Sequence, residues 1–269
     1  MKYATVVAAL LGANAALGAR FTEKRRERNE ARLARRSGSV RLPATNSEGV
    51  AIDAAESRND TTNVEYSSNW AGAVLIGSGY KSVTGIFVVP TPKSPGSGNT
   101  EYAASAWVGI DGDTAQNSIL QTGVDFYVEG SSVAYDAWYE WYPDYAYDFS
   151  GISISAGDTI KVTVTATTTT SGTAVVENVT KGTTVTHTFT GQSAALQELN
   201  AEWIVEDFEE GDELVPFANF GTVTFTGAEA TTSSGTVTAA DATLIDIEQN
   251  GEVLTSVTVS GSTVTVKYV

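Results

Sequence analysis

Asp136, Glu140, Asp144 and Asp148 stand four apart in the stretch YDAWYEWYPDYAYDF, residues 135–149, and eight of its fifteen residues are aromatic. On a helix this spacing would stack like charges on one face, which is unfavourable, and Pro143 would end the helix. Tyr and Trp suit a strand better. With period two, Asp136, Trp138, Glu140 and Tyr142 then share one face. Carboxylate alternating with ring is the composition of a wall that grips a polymer, because so many large rings are costly to expose without use. Carboxylates and amides are also the material of acid–base chemistry at low pH.

Other routes to hydrolysis lack their residues. The only histidine, His187, sits mid-strand among threonines, and there is no Gly-x-Ser-x-Gly turn to present a serine nucleophile. One histidine cannot build a His-Glu-x-x-His zinc site. The chain has no cysteine, which excludes a thiol nucleophile and thiolate metal sites. The Asp-Thr-Gly or Asp-Ser-Gly signature of aspartic proteases, the P-loop and the dinucleotide fingerprint are all absent. No metal and no cofactor is expected.

The elements that would position these groups read as strands almost throughout. Thr159–Ala166, Thr173–Glu177 and Thr183–Thr190 alternate or run β-branched, with Gly157-Asp158, Ser171-Gly172 and Lys181-Gly182 as turns. Thr222–Phe225, Thr243–Glu248, Leu254–Ser260 and Thr263–Val269 continue the pattern. The fold expected is all-β, an antiparallel two-sheet sandwich of jelly-roll or concanavalin-like type. One short helix candidate is Ala194–Asn200. In Ala103–Asp111, Ile119–Glu129 and Ala201–Glu209 one face is apolar and the other carries Ser105, Trp107, Asp111, Gln121, Asp125, Glu202 and Glu206. Curved sheets would gather these faces into one acidic, aromatic groove. On residues alone, a glycan-binding or glycoside-hydrolysing jelly roll fits that groove as well as a peptidase does, since paired carboxylates serve both.

Composition divides the chain. Residues 1–18 read as a secretory signal: Lys2, then a small apolar run, then Ala16-Leu17-Gly18 as cleavage site. That run is too short to span a bilayer, so a secreted, extracellular protein is expected, with no membrane partner. Residues 19–64 form a basic propeptide and linker. From Arg20 to Arg41 there are nine basic and three acidic residues, with Lys24, Arg28, Arg32 and Arg36 on one helical stripe. Residues 65–269 read as one domain, the expected seat of the chemistry. Of the chain's 32 acidic residues all but seven lie from Glu65 onward, against five lysines, so this body is near −20. The partner of the basic arm is therefore the acidic body of its own chain rather than nucleic acid. Such a layout is that of a zymogen with an intramolecular inhibitor. Asn178-Val179-Thr180 is a possible glycan acceptor.

The segments SSNWAGAV (67–74), ASAWVGIDGD (104–113), ILQTGVDF (119–126), YDAWYEWYPDYAYDF (135–149) and NAEWIVEDFE (200–209) together resemble the signatures of the fungal glutamic peptidases, the eqolisins. The resemblance covers essentially all of 65–269, and TEKRRERNEAR (22–32) resembles the Aspergillus-type propeptide of that family. It implies a pepstatin-insensitive acid endopeptidase acting on protein and peptide substrates through a Gln/Glu dyad, Gln121 and Glu206; a monomer is expected. It also implies substrate-groove roles for Trp70, Trp107, Asp111, Asp125, Asp136, Glu140, Asp148 and Glu209. Aspergillus-type members carry cysteines near several of these motifs, whereas here Ala103, Ala115 and Tyr127 stand at those places. The basic linker expected before Glu101 for a two-chain product is missing as well.

Overall fold

Alternation builds the long strands. In the segment 159–168 the even positions Ile160, Val162, Val164 and Ala166 are buried while Lys161, Thr163 and Thr165 are only partly covered, the period-two signature of a strand with one wet face. The structure, a computed structural model, describes residues 40–51, 64–98, 100–210 and 213–269. The signal segment 1–18, the basic stripe Lys24–Arg36 and most of the linker lie outside the described residues.

In chain order the strands are β1 (Val64–Ser67), β2 (Trp70–Ile76), β3 (Tyr80–Val88), β4 (Glu101–Ile110), β5 (Ile119–Glu129), β6 (Ser132–Tyr142) and β7 (Tyr147–Asp148). Then follow β8 (Thr159–Thr168), β9 (Ser171–Asn178), β10 (Thr183–Phe189), β11 (Asn200–Glu206), β12 (Glu209–Glu210) and β13 (Glu213–Leu214). The last are β14 (Thr222–Thr232), β15 (Gly235–Thr238), β16 (Thr243–Gln249), β17 (Glu252–Val253), β18 (Thr255–Ser260) and β19 (Thr263–Tyr268).

They form two sheets. The first runs β1-β16-β2-β11-β4-β5-β6-β7, with β17 on β16; the second runs β10-β9-β8-β3-β14-β19-β18, with β15 on β14. Among the named strands only β1 and β16 pair in parallel. One continuous core joins the sheets, with Ala106, Val108, Val124, Phe126 and Trp203 from the first against Val83, Phe87, Ile160, Val162 and Phe225 from the second. Trp203 pins them together: it is fully buried, and its indole N–H donates to the Thr84 carbonyl on β3 at 2.7 Å. Removing such a ring costs about 3–5 kcal/mol.

The sandwich expected from the sequence is present. The helix candidate Ala194–Asn200 is not: residues 194–199 are loop, and Asn200 opens β11. The backbone N–H groups of Gln197, Glu198, Leu199 and Asn200 all donate to the Asp111 carboxylate, and Glu198 has φ 59°. One side chain thus takes the donors that a helical turn would have left unmatched.

Asn178 is buried, with Nδ2 donating to the Ser153 carbonyl and to Asp158 Oδ2 at 3.0 and 2.8 Å. The nitrogen that a glycan would occupy is thus enclosed. Ala103 and Tyr127, two of the positions where cysteine was expected, face each other across β4 and β5. They pack with Phe208 in a small apolar cluster, the two rings 6.2 Å apart.

Candidate active site

The register of the first sheet lays three rows across the face turned away from the core. The first row is Val74, Glu202, Gly109, Gln121 and Glu140. Beside it run Gly72, Ile204, Trp107, Gly123, Trp138 and Asp148. The third row is Trp70, Glu206, Ser105, Asp125 and Asp136. Alternation within each strand puts all three rows on one face. Their apolar members Trp70, Val74, Trp107, Trp138 and Ile204 form a separate buried cluster with Ile119, Ala146 and Ile245. The carboxylates therefore rise from an apolar floor.

Glu206 ends β11 and is fully buried. Trp107 Nε1 donates to its Oε2 at 2.8 Å, and Trp70 Nε1 and Asn69 Nδ2 donate to its Oε1 at 3.3 and 3.4 Å. Three nitrogen donors aimed at one carboxyl group are what holds a carboxylate out of water. The two indoles meet edge to face, 4.9 Å apart, which fixes both donors. Gly123 makes the arrangement possible: a Cβ there would come within 2.5 Å of Trp107 Cβ and 2.4 Å of the Ala106 carbonyl oxygen.

The other end of the Trp107 ring reaches the first row. A Cβ on Gly109 would lie 2.9 Å from Trp107 Cζ3, 2.5 Å from Glu202 Oε1 and 3.4 Å from Gln121 Cβ. One indole thus separates Glu206 from the pair Glu202 and Gln121. Gln121 is fully buried, and neither atom of its amide has a hydrogen-bond partner among the described residues. The same holds for both oxygens of Glu202. Burial, followed by the charges of Asp111 and Asp113, pushes the Glu202 carboxyl well above the usual carboxylate range.

The other candidates divide by position. Trp70, Trp107, Asp125, Asp136, Glu140 and Asp148 all stand on the rows. Asp125 and Asp136 are direct cross-strand partners, and Tyr127 donates its hydroxyl to Asp125 Oδ2 at 3.1 Å. Asp111 has φ 70° and commits both oxygens to the 197–200 backbone. Burial pushes its carboxyl up while those four N–H groups oppose the shift. It shapes the loop feeding β11. Glu209 lies outside the rows, on the β12–β13 ribbon. His187 is on β10 in the second sheet, stacked on Tyr139 with centroids 3.9 Å apart, and burial lowers its pKa.

Two residues near the rows carry no role in the sequence analysis, Asn69 and Asp207, and Glu202 appears there only as a member of a polar face. Asp207 is buried, accepts from Gln249 Nε2 at 2.7 Å, and is pushed well above the usual range by burial, with Gln249 opposing and the charge of Glu209 adding. Asn69 joins the site to the segment before the domain. Its Nδ2 also donates to the Val40 carbonyl at 3.0 Å, and its Oδ1 accepts from Leu42 N–H at 2.8 Å. Ser67 Oγ donates to the Leu42 carbonyl, and Arg41 pairs with Glu65 and Asp113 at 2.6 and 2.9 Å. Burial works against the Arg41 charge, but its two carboxylate partners outweigh that and leave its pKa raised. Val40 packs on the Trp70–Trp107–Trp138 cluster. Among the described residues no three His, Cys, Asp or Glu side chains converge to hold a metal ion.

A family model described as the Peptidase A4 family matches residues 68–268. The chain is 57% identical to Aspergillopepsin-2 of Aspergillus niger over the full length of both. It is 47% identical to scytalidopepsin B of Scytalidium lignicola, over 75% of this chain and 78% of that one. Among solved structures it resembles scytalido-glutamic peptidase with a transition state analog inhibitor, with a TM-score of 0.70 and 47% identity over 75% of this chain and 98% of that one.

Proposed function

The chain belongs to the Peptidase A4 family and is a glutamic-type acid endopeptidase, and from that premise we propose that it is secreted as a zymogen and cuts proteins with Gln121 and Glu206. The observation that carries the dyad is that Glu206, held by three nitrogen donors, shares a face with Gln121, whose buried amide has no protein partner among the described residues, with the Trp107 indole lying between the two. Glu206 as a carboxylate takes a proton from the water that attacks the scissile carbonyl, then returns it to the leaving amine. Gln121 Nε2 donates to the oxyanion of the tetrahedral intermediate. Trp107 and Trp70 keep the base aimed across the cleft, and the acidic and aromatic rows bind the extended substrate. A carboxylate base suits an acid operating pH. The test is to incubate the purified protein at acid pH with denatured casein and, in parallel, with β-glucans; glucan cleavage without casein cleavage overturns the reading.

Chelators, serine and thiol reagents and pepstatin are each expected to leave at least about nine-tenths of that activity, because nothing in the proposed mechanism uses the groups they attack. Loss of casein cleavage with EDTA would point to a metal-dependent step that this dyad does not provide.

The strap of residues 40–45 supports the zymogen. It docks on Asn69, the residue that also donates to Glu206, and Arg41 joins it to Asp113 and Glu65. Asp and Glu ordinarily titrate near pH 4 whereas Lys and Arg keep their charge, so acid removes the attraction between the basic segment and the body. A synthetic peptide of residues 20–45 is expected to inhibit the enzyme at pH 6, much less at pH 3, and less in high salt. Arg41→Ala in that peptide is expected to weaken inhibition by about tenfold or more, since it removes charge-assisted hydrogen bonds. Equal inhibition at both pH values would exclude an electrostatic clamp.

A further inference from the structure

Glu202 is a buried carboxyl group that the proposed mechanism leaves idle, on the same row as Gln121 with only Gly109 between them. Its Oε1 occupies the place a side chain at 109 would take, with Gln121 Cβ on the other side of that methyl-sized gap. Neither oxygen of Glu202 and neither amide atom of Gln121 has a hydrogen-bond partner among the described residues, and all four are buried. Building on Gln121 as oxyanion donor, we propose that Glu202 is a positioning residue which, as an uncharged carboxylic acid, sets the direction in which the Gln121 amide points.

A primary amide has a donor end and an acceptor end, and nothing covalent distinguishes them in space. A neutral carboxylic acid offers an O–H to the carbonyl end, which turns Nε2 towards the substrate. An ionised carboxylate only accepts, so it draws Nε2 to itself and withdraws the donor from the oxyanion. In a buried site this preference is strong, because little water competes. Besides burial, Asp111 and Asp113 beyond β4 act on the Glu202 carboxyl, and its own charge acts on the Tyr80 hydroxyl from β3; Glu140 beyond Gln121 and Glu206 along its own strand are the neighbouring carboxyl groups of the same face. Burial and the Asp111 and Asp113 charges keep its proton on to a higher pH than an ordinary glutamate. Glu202 is thus neutral in acid, where the enzyme works. Its ionisation on raising the pH turns Gln121 away and writes the alkaline limb of kcat.

The test compares Glu202→Gln and Glu202→Leu with wild type. Gln at 202 keeps the shape and a donor but cannot ionise. It is expected to hold kcat within about threefold in acid and to move the alkaline limb of kcat upward by about one pH unit or more, with KM unchanged. Leu at 202 removes both donor and acceptor, and is expected to lower kcat about tenfold or more at all pH values with the thermal midpoint retained. Independently of activity, the side-chain amide 15N–1H pair of Gln121, assigned by its absence in Gln121→Ala, is expected to shift with pH in wild type and not in Glu202→Gln. An alkaline limb unmoved in Glu202→Gln overturns the proposal, as does an amide signal indifferent to residue 202. A wild-type protein that cleaves nothing would sink the peptidase reading, whereas the amide titration decides the positioning role on its own.

Discussion

Replacing Glu206 by Gln is expected to lower kcat by about 10²–10⁴-fold, the range for removing a positioned acid–base group. The substitution is nearly isosteric and keeps one oxygen for Trp107 or Trp70 to donate to, so the fold should survive. Gln121→Ala is expected to lower kcat by about 10²–10³-fold, the worth of one oxyanion donor. The only proposed protein partner of that amide is the neutral Glu202 carboxyl, so the fold should survive its removal. The double variant should be little worse than Glu206→Gln alone, because the two groups act on one transition state. Turnover, KM and the thermal midpoint of each variant against casein decide the matter. Near wild-type proteolysis by a folded Glu206→Gln protein would dispose of the dyad. Glu202→Gln serves as the internal comparison, since in acid it should change turnover far less.

Stability should be greatest in acid and decline towards neutrality. Glu202 and Asp207 both have their carboxyl pKa pushed well up by burial, with Asp111 and Asp113 adding at the first and Glu209 at the second. The folded protein therefore holds these two protons to a higher pH than the unfolded chain does. Below the unfolded values, near 4.5 for Glu and 3.8 for Asp, both states are protonated and the stability is fully present. As pH rises from there towards the folded values, the unfolded chain releases its protons first and stability is lost. Each such group costs up to about 1.4 kcal/mol per pH unit across its window. For a domain of this size 1 kcal/mol moves the thermal midpoint by about 2–4 °C. A fall of several degrees between pH 4 and pH 7 is expected. Self-repulsion of the acidic body adds to it, so the variants carry the test. Glu202→Gln with Asp207→Asn should flatten the slope, whereas a midpoint falling as steeply in that double variant as in wild type would assign the loss to surface charge alone.

The placement of the candidate site residues within their strands was legible along the chain. The alternation in β4, β5, β6 and β11 put Trp107, Gln121, Glu140 and Glu206 on polar faces, and the structure keeps each of them there. Parity within a strand is a local property, because successive side chains point to opposite faces wherever the strand is placed. The roles of Gln121 and Glu206 came from the resemblance of five motifs, not from parity. Local reading failed where a residue's partner is distant. Ala194–Asn200 had the composition of a short helix, yet its amides are bound by Asp111, more than eighty positions earlier. Asn178 carries an acceptor sequence for a glycan, and the fold adds what that sequence leaves open, its nitrogen donating to Ser153 and Asp158.

By itself the sequence determined that this is an all-β, cysteine-free, acidic domain whose chemistry must come from carboxylates and amides. It also determined which side chains share a face within each strand. Only the tertiary structure decided how strands distant in sequence align: that Trp70 and Asn69 reach Glu206 from more than 130 positions away, and that Glu202 faces Gln121 across Gly109. The reason is that register is set by which side chains interdigitate when the sheets pack. That depends on volumes and vacancies, such as the missing side chains of Gly109 and Gly123, that no single stretch of sequence contains.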